Sequence, residues 1–358
     1  MPELPEVETV RRGLQRLIVG QRVESVQVLA PGSFGVEPGC DVNRDLLGAL
    51  ITDVRRRGKV LMVGLGAEVE DDMGPSGDMG SHDAGSSYDA GSSGGAGSSV
   101  GAGSALDCSG AAESGAAGTR GVRQAGAVSA CLVIHLKMTG QLVYQGDQHW
   151  GAGHPNDSLV HDLPDRSTRV IVGFEDGSRL YFNDQRKFGW VRLMTTAQAD
   201  ALKLITTMGP EPLTGQPWPE FLRRMRRHHA TPIKAALLNQ TVLAGVGNIY
   251  ADEALWTARI HPATQVDALS DAALRRLLDA VREVMTTSLE FGGSTDRTYV
   301  DAEGRAGSYL SFAHVFRREG QPCPRCGTTI IKTRVAGRGT HLCPHCQRIK
   351  RRVTPREP

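Results

Sequence analysis

The sequence predicts an α+β protein, with a mostly β first half led by one helix, a helical second half and a small metal-held tail. Three observations predict it. Apolar and polar residues alternate at period two in several short runs before about residue 196. From about Ala197 the apolar spacing switches to three and four. Four of the seven cysteines sit near the C-terminus in two Cys-x-x-Cys pairs. A length of 358 residues accommodates two ordinary domains beside so small a tail.

Pro5 to Gly20 reads as the leading helix. Pro5 suits the first turn, Val7, Val10, Leu14, Leu17 and Ile18 share one face, and Gly20 suits the end. Arg22 to Leu29 and Ile51 to Arg55 alternate as strands. Residues 66 to 130 break the pattern: Gly, Ser and Ala fill 41 of the 65 positions, and nine acidic side chains stand against two basic ones. Such a stretch buries too little apolar surface to offset its ordering entropy, so a disordered, acidic insertion is expected. The alternative is a linker between domains. Strand-like runs on both sides, Lys59 to Leu65 and Cys131 to Leu136, favour a long loop between neighbouring strands of one sheet. Further on, Arg169 to Phe174, the turn Glu175-Asp176-Gly177-Ser178 and Arg179 to Phe182 form a hairpin. Helices follow at Trp218 to His228, Pro232 to Asn239, Asn248 to Ala258 and Asp271 to Leu289, the last capped by Ser270 and ending at Gly292-Gly293.

Composition excludes several classes. No apolar run approaches the length of a membrane span, and the N-terminus lacks the basic flank and apolar core of a secretory signal. Cys40, Cys108 and Cys131 are scattered, which reads as free thiols in a reducing, cytoplasmic compartment and not as a disulfide framework. The net charge of +2 conceals an asymmetry: residues 323 to 358 hold nine Lys and Arg against the single acid Glu357. A basic end of this kind is an electrostatic footprint for a polyanion.

Cys323-Pro-Arg-Cys326 and Cys343-Pro-His-Cys346, 16 residues apart, supply four soft thiolates on two tight turns. That set suits one tetrahedral structural Zn2+, with room for a β-hairpin between the knuckles. Lys332, Arg334, Arg338 and His341 lie between the knuckles, and Arg348, Lys350, Arg351 and Arg352 follow, giving the hairpin a basic edge toward nucleic acid. The turn Gly245-Val-Gly247-Asn248 opens a helix, so its amides and Asn248 are candidates to hold a phosphate, with Lys234 on the same strand. At the N-terminus, removal of Met1 exposes Pro2 as a secondary amine. An α-amino group titrates near ~8, so about a tenth is free base at pH 7. Its condensation with a sugar aldehyde gives a cationic iminium, an electron sink for β-elimination. Glu3 is a candidate to move a proton at the opening sugar, and Glu6 lies one helical turn on. An ordinary Met-Pro start with an acidic first turn accounts for the same residues.

These pieces together resemble the bacterial formamidopyrimidine-DNA glycosylase family. The resemblance rests on Pro2-Glu3-Leu4-Pro5-Glu6-Val7-Glu8, Arg56-Arg57-Gly58-Lys59, His135 to Gly140, Asn183 to Gly189, Gly245 to Tyr250 and the four-cysteine finger, in that order. It covers the chain apart from residues 66 to 130. It implies an N-terminal β-sandwich with its leading helix over 1–200, a helix–two-turn–helix domain over 201–320 and a zinc finger over 321–358. The implied activity is that of a bifunctional DNA glycosylase and AP lyase of base excision repair, acting on 8-oxoguanine and formamidopyrimidines in double-stranded DNA and on abasic sites. In this reading the damaged nucleotide is flipped out, Pro2 attacks C1′, Glu3 is the general acid, and Lys59 serves phosphate contact and β-elimination. Arg338 matches the arginine linked to δ-elimination. Met138 and Phe188 wedge the stack, and Arg186 reads the orphaned cytosine. A monomer without membrane attachment is implied as well.

Two segments depart from the family pattern. Ser167 stands where the family often has His, and His228-His229 stand where Lys or Arg is usual; both put individual phosphate contacts in question. Residues 294 to 314 correspond to a mobile loop over the extruded base. The acidic insertion is atypical and the resemblance says nothing about it; it is expected to be a dispensable solvated loop away from DNA. The nearest rival is the sister class acting on oxidised pyrimidines, disfavoured by Leu4 and by the Arg186-Lys-Phe188 run. A zinc-dependent binding protein without catalysis is a second, disfavoured by the intact Pro2, Glu3 and Lys59.

Overall fold

The structure, a computed structural model, describes residues 2–66, 130–154, 157–159, 161–291 and 309–350. The leading helix α1 spans Leu4–Leu17, with Glu3 and Glu6 forming a reciprocal capping box and Pro5 in the first turn. Val7, Val10 and Leu14 are fully buried along one face. Each such burial stabilises by about 1.5–3 kcal/mol, so a charge at Val10 would undo the helix's seat. The helix stops three residues short of Gly20, which instead takes a left-handed φ of +86° in the following turn.

Strands β1 (Val23–Val28) and β2 (Phe34–Val36), the short helix α2 (Val42–Asp45), and strands β3 (Leu50–Arg57) and β4 (Val60–Gly66) complete the part before the insertion. After it come β5 (Ala130–His135), β6 (Gly140–Gln145), β7 (His149–Gly153), β8 (Thr168–Phe174), β9 (Arg179–Asp184) and β10 (Trp190–Thr195). They form two five-stranded sheets, ordered β1-β8-β9-β6-β7 and β2-β10-β5-β4-β3. The inner faces of both sheets and α1 share one core, which includes Ile51, Leu61, Leu132, Leu142, Val170 and Phe182. This is a β-sandwich with a helix along it.

β4 and β5 pair antiparallel from Val60↔His135 to Leu65↔Ala130, so the chain leaves and re-enters one sheet on neighbouring strands. Gly66 and Ala130, assigned from composition to the insertion, are strand residues. The expected disorder and solvation fall on 67–129, outside the described residues, as do Cys108, the Gly292-Gly293 stop, most of the 294–314 loop, Arg351 and Arg352.

Helices α3 (Thr196–Ala201) and α4 (Lys203–Thr206) lead into the second half. There α5 (Trp218–Arg226), α6 (Ile233–Leu238), α7 (Asn248–Thr257) and α8 (Asp271–Glu290) surround a separate core of Phe221, Leu237, Leu255, Leu277 and Val281. Leu4, from the far end of the sequence, is buried in this second core. After the single turn α9 (Tyr309–Phe312), strands β11 (Ile331–Val335) and β12 (Arg338–Leu342) form a hairpin. Cys323, Cys343 and Ile330 of this tail pack with Trp256 of α7.

Candidate active site and nucleic-acid interface

The site begins where the N-terminus enters the Gly245–Asn248 turn. The Leu4 amide donates to the Gly245 carbonyl at 3.0 Å. The Glu3 carboxylate accepts from the Ile249 amide at 3.0 Å and the Tyr250 amide at 3.4 Å, at the positive N-terminal end of α7. Both glycines are dictated by this approach. A Cβ at Gly247 would lie 2.2 Å from the Glu3 carboxyl carbon, and one at Gly245, where φ is +87°, would lie 2.5 Å from Leu4. Sequence alone assigns these glycines and amides to a phosphate; the structure gives them to the chain's own first residues. Asn248, half-buried at the first position of α7, remains open to the phosphate role through its side-chain NH2, the donor that a phosphate oxygen needs.

Glu3 is 2% exposed, and burial pushes its pKa up to about 7; Lys59 and the Ile249 amide oppose the rise, while Glu6 adds to it. Glu6 accepts from the Glu3 amide at 2.8 Å and from the Tyr250 hydroxyl at 2.5 Å, and that hydroxyl also meets Ser288 at 2.5 Å. Burial holds the Tyr250 phenol well above its ordinary pKa, so it stays a neutral donor to Glu6. Neither the Tyr250 hydroxyl nor Ser288 has a role legible in the sequence, because that role depends on a contact 244 residues away in chain order.

Lys59 sits at the β3–β4 turn, 8% exposed, and donates to the Val246 carbonyl at 3.0 Å. Burial lowers its pKa, Glu3 and Glu6 raise it, and Arg338 lowers it. Pro2 is buried beside Glu3. The structure thus gathers Pro2, Glu3, Glu6 and Lys59 around one turn, with exposed Arg338 close enough to perturb Lys59 electrostatically.

The Lys59 turn is held by a buried ion cluster whose pairing with Glu211 has no sequence signature. Arg56 grips both oxygens of Glu211 at 3.0 and 2.9 Å and Glu8 of α1 at 2.9 Å. Glu211 also accepts the Gly58 amide at 2.6 Å. Burial raises the Glu8 pKa, but hydrogen bonds from Arg11 and Arg56 outweigh it and bring the value down to about 2. Glu211→Ala leaves the Arg56 guanidinium half-paired in the interior, which costs about 3–5 kcal/mol. Urea denaturation at pH 7 is expected to show that loss; a shift below about 1 kcal/mol would mean the cluster is solvated and weak.

The proposed wedge residues lie on two adjacent turns. Met138 is 40% exposed between β5 and β6, and Phe188 is 53% exposed between β9 and β10. Arg186 is exposed and stacks over the Phe188 ring at 5.0 Å. His135, at the end of β5, belongs to one of the family motifs, yet sequence alone assigns it no role. Its Nδ1 accepts the Lys137 amide at 3.0 Å, leaving the proton on Nε2. Burial pulls its pKa down to about 3, so it is neutral.

Two expected phosphate contacts are corrected. Lys234 has no exposed surface; its ammonium pairs with Asp252 at 2.6 Å and donates to Gly339 and Thr340 at 2.8 Å each. It docks the finger hairpin on the helical half. Ser167 is 3% exposed, with its hydroxyl donating to Asp165 at 2.7 Å and meeting Ser158 at 3.0 Å, so no group of it faces solvent for DNA. Spacing within a motif carries no information on burial for either. His229 is exposed after α5, as a surface contact requires.

The four cysteine sulfurs lie within 4.8 Å of one another, with Cys323–Cys346 at 3.9 Å, Cys326–Cys343 at 3.5 Å and Cys326–Cys346 at 3.4 Å. A zinc tetrathiolate with Zn–S near 2.3 Å needs S···S separations of roughly 3.8 Å. The Trp256 indole N–H points at the Cys323 sulfur at 3.4 Å, a donor suited to a thiolate. The donor set therefore fits one structural zinc ion.

Comparison with known proteins agrees along the chain. Family models described as formamidopyrimidine-DNA glycosylase N-terminal domain, its H2TH domain, and a zinc finger found in FPG and IleRS match residues 1–84 with 117–191, 208–300 and 320–349. Formamidopyrimidine-DNA glycosylase of Pelotomaculum thermopropionicum is 36% identical over 98% of this chain and 100% of its own length. The same enzyme of Enterococcus faecalis is 34% identical over 98% and 99%. Lactococcus lactis Fpg bound to DNA containing an abasic site superposes with TM-score 0.68 at 29% identity, covering 97% of this chain and 99% of that one. MutM bound to DNA containing carbocyclic 8-oxo-G superposes with TM-score 0.67 at 28% identity, covering 97% and 100%. Sandwich, helical half, four-cysteine finger and full-length sequence similarity all lead to one family, and this chain belongs to the formamidopyrimidine-DNA glycosylases.

Proposed function

We infer that this chain is a bifunctional DNA glycosylase and AP lyase that excises 8-oxoguanine and formamidopyrimidines from double-stranded DNA and cuts the strand at the abasic site. The observation that carries the reading is the convergence of Pro2, Glu3 and Lys59 on the Gly245–Asn248 turn. With Met1 removed, the Pro2 amine attacks C1′ of the flipped nucleotide and the C1′–base bond breaks. The departing base takes the pair of electrons and a proton. Glu3, half protonated near pH 7, is the group placed to exchange protons with the sugar as its ring opens. Lys59, whose pKa burial lowers against the opposing pull of Glu3 and Glu6, serves phosphate contact and removal of the C2′ proton that starts β-elimination. Arg338 carries the charge for δ-elimination and phosphate binding. Glu6 acts from behind, fixing Glu3 through its amide.

On the DNA side, Met138 and Phe188 enter the stack and Arg186 faces the orphaned cytosine, which their exposure supports. Asn248 and His229 are the remaining phosphate contacts in this reading. The domain limits 1–200, 201–320 and 321–358 belong to it too, as do a monomeric state and work on the nucleoid of a bacterial cytoplasm. No helix among the described residues is long and apolar enough to cross a membrane.

Borohydride trapping tests the chemistry. The processed protein, mixed with a duplex carrying 8-oxoguanine opposite cytosine and reduced, is expected to form a covalent adduct that Pro2→Gly loses or greatly weakens. No adduct from zinc-loaded protein lacking Met1 would overturn the reading for this lesion.

A further inference from the structure

Met138, Arg186 and Phe188 stand on two separate turns, yet a wedge works only if the turns hold a fixed distance. Beneath both turns lies one buried carboxylate. Asp184, at the end of β9, has no exposed surface. Its Oδ1 accepts the Arg186 amide at 3.1 Å and a short hydrogen bond from the Thr139 hydroxyl. Its Oδ2 accepts the Gly189 amide at 2.6 Å. The Thr139 oxygen in turn accepts the same Arg186 amide at 3.1 Å. Thr139 belongs to the Met138 turn; Arg186 and Gly189 bracket Phe188. The Asp184 backbone is tied as well, its amide to the Ser167 carbonyl and its carbonyl to Arg169 Nε, each at 2.8 Å.

Both turns need such a hold. Lys137 and Lys187, one in each, take left-handed φ values of +51° and +58°, which a non-glycine residue adopts only when its surroundings impose it. A carboxylate accepting from three donors is a strong and directional constraint, because charged acceptors make the shorter and stronger hydrogen bonds.

We propose that Asp184 is the positioning residue of the lesion probe, the buried staple that sets Met138, Arg186 and Phe188 in one rigid arrangement. The inference rests on the wedge and cytosine-reading roles given above. Asp184 touches no DNA in it and takes no part in the chemistry at Pro2. Its loss therefore weakens finding and extruding a paired lesion, and spares an abasic site that is already open.

The experiment compares Asp184→Asn, Thr139→Val and Thr139→Ser with the wild type. Asp184→Asn keeps the shape but sets an NH2 group against a backbone N–H; Thr139→Ser keeps the hydroxyl. Single-turnover excision of 8-oxoguanine opposite cytosine is expected to fall about tenfold in Asp184→Asn and Thr139→Val, the scale of removing one or two charged hydrogen bonds. The preference for cytosine over adenine opposite the lesion shrinks with it. Borohydride trapping on a preformed abasic duplex stays within about twofold, and Thr139→Ser behaves as the wild type. Limited trypsin digestion of the free proteins reads the turns without any activity: cleavage after Lys137, Arg186 and Lys187 speeds up in the two disruptive variants. Wild-type excision, preference and digestion in a folded Asp184→Asn would overturn the proposal, and so would an equal loss of excision and trapping. A wild type that excises nothing, beside variants whose turns digest faster, would refute the functional reading and leave the staple standing.

Discussion

Glu3→Gln lowers base excision by about 10²–10⁴-fold, the contribution of a positioned acid–base group, while the protein stays folded. The protonation state of Glu3 is the reason. Its carboxyl is raised to about 7 chiefly by burial, so at neutral pH close to half of it carries a proton to give. An ordinary glutamate near ~4.3 would hold well under a hundredth. The acid form is therefore present below pH 7 and is lost as pH rises through that value. The Pro2 amine runs the other way, its free base growing as pH rises toward ~8. Their product peaks between the two values, and single-turnover rates against pH are expected to trace a bell. Gln keeps an oxygen for the Ile249 amide, so the turn survives, but it has no titrating proton. The residual rate of Glu3→Gln should therefore climb with pH and show no alkaline limb. A variant with the same falling limb above pH 7 would show that another group supplies the proton.

Much of this site was legible because the chemistry requires particular residue types at the ends of elements. Pro2 and Glu3 are chemical candidates that an ordinary Met-Pro start explains equally, and Lys59 gains a role only through the family resemblance; the structure brings the three together. The two-cysteine knuckles fixed their own geometry, since a short Cys-x-x-Cys turn leaves the sulfurs few places to go. The pairing of β4 with β5 followed from apolar runs that need a common core. What stayed illegible depends on which face a side chain takes. Lys234 sits in a run that suits a phosphate contact, yet its ammonium turns inward to Asp252 because the finger closes over it. Ser167 likewise points into an Asp165 turn. Glu211 and Asp184 look like ordinary surface acids in the sequence; only the arrival of Arg56 and of the Thr139 turn makes them interior groups. Strands β2 and β7 escape a sequence reading for a simpler reason. One has three residues and the other two glycines in five, too little pattern for period two to register.

Cys343→Ser, or removal of zinc by a chelator, is expected to abolish binding to damaged DNA while most of the protein remains folded. Cys343 is fully buried and shares a small core with Cys323, Ile330, Val315 and Trp256. A core that small does not hold a hairpin by itself; a structural zinc supplies about 10–16 kcal/mol of folding free energy in comparable modules. The hairpin carries Arg338, and it is docked through Lys234, which donates to Gly339 and Thr340, and through Gln347, which donates to the Ile260 carbonyl at 2.9 Å. Without the metal these docking groups have no ordered hairpin to hold, and the Lys234–Asp252 pair opens to water. The sandwich and the helical half have separate cores and keep them. The measurement combines metal content, far-ultraviolet circular dichroism and a titration with an abasic-analogue duplex at several salt concentrations. Affinity should drop by at least about 100-fold at low salt, and the slope of log K against log salt should fall by about 0.9 for each phosphate that the hairpin no longer neutralises. The dichroism should change little. A zinc-free Cys343→Ser protein that binds the duplex like the wild type would separate the finger from DNA altogether, and Arg338 would then have no part in the reaction.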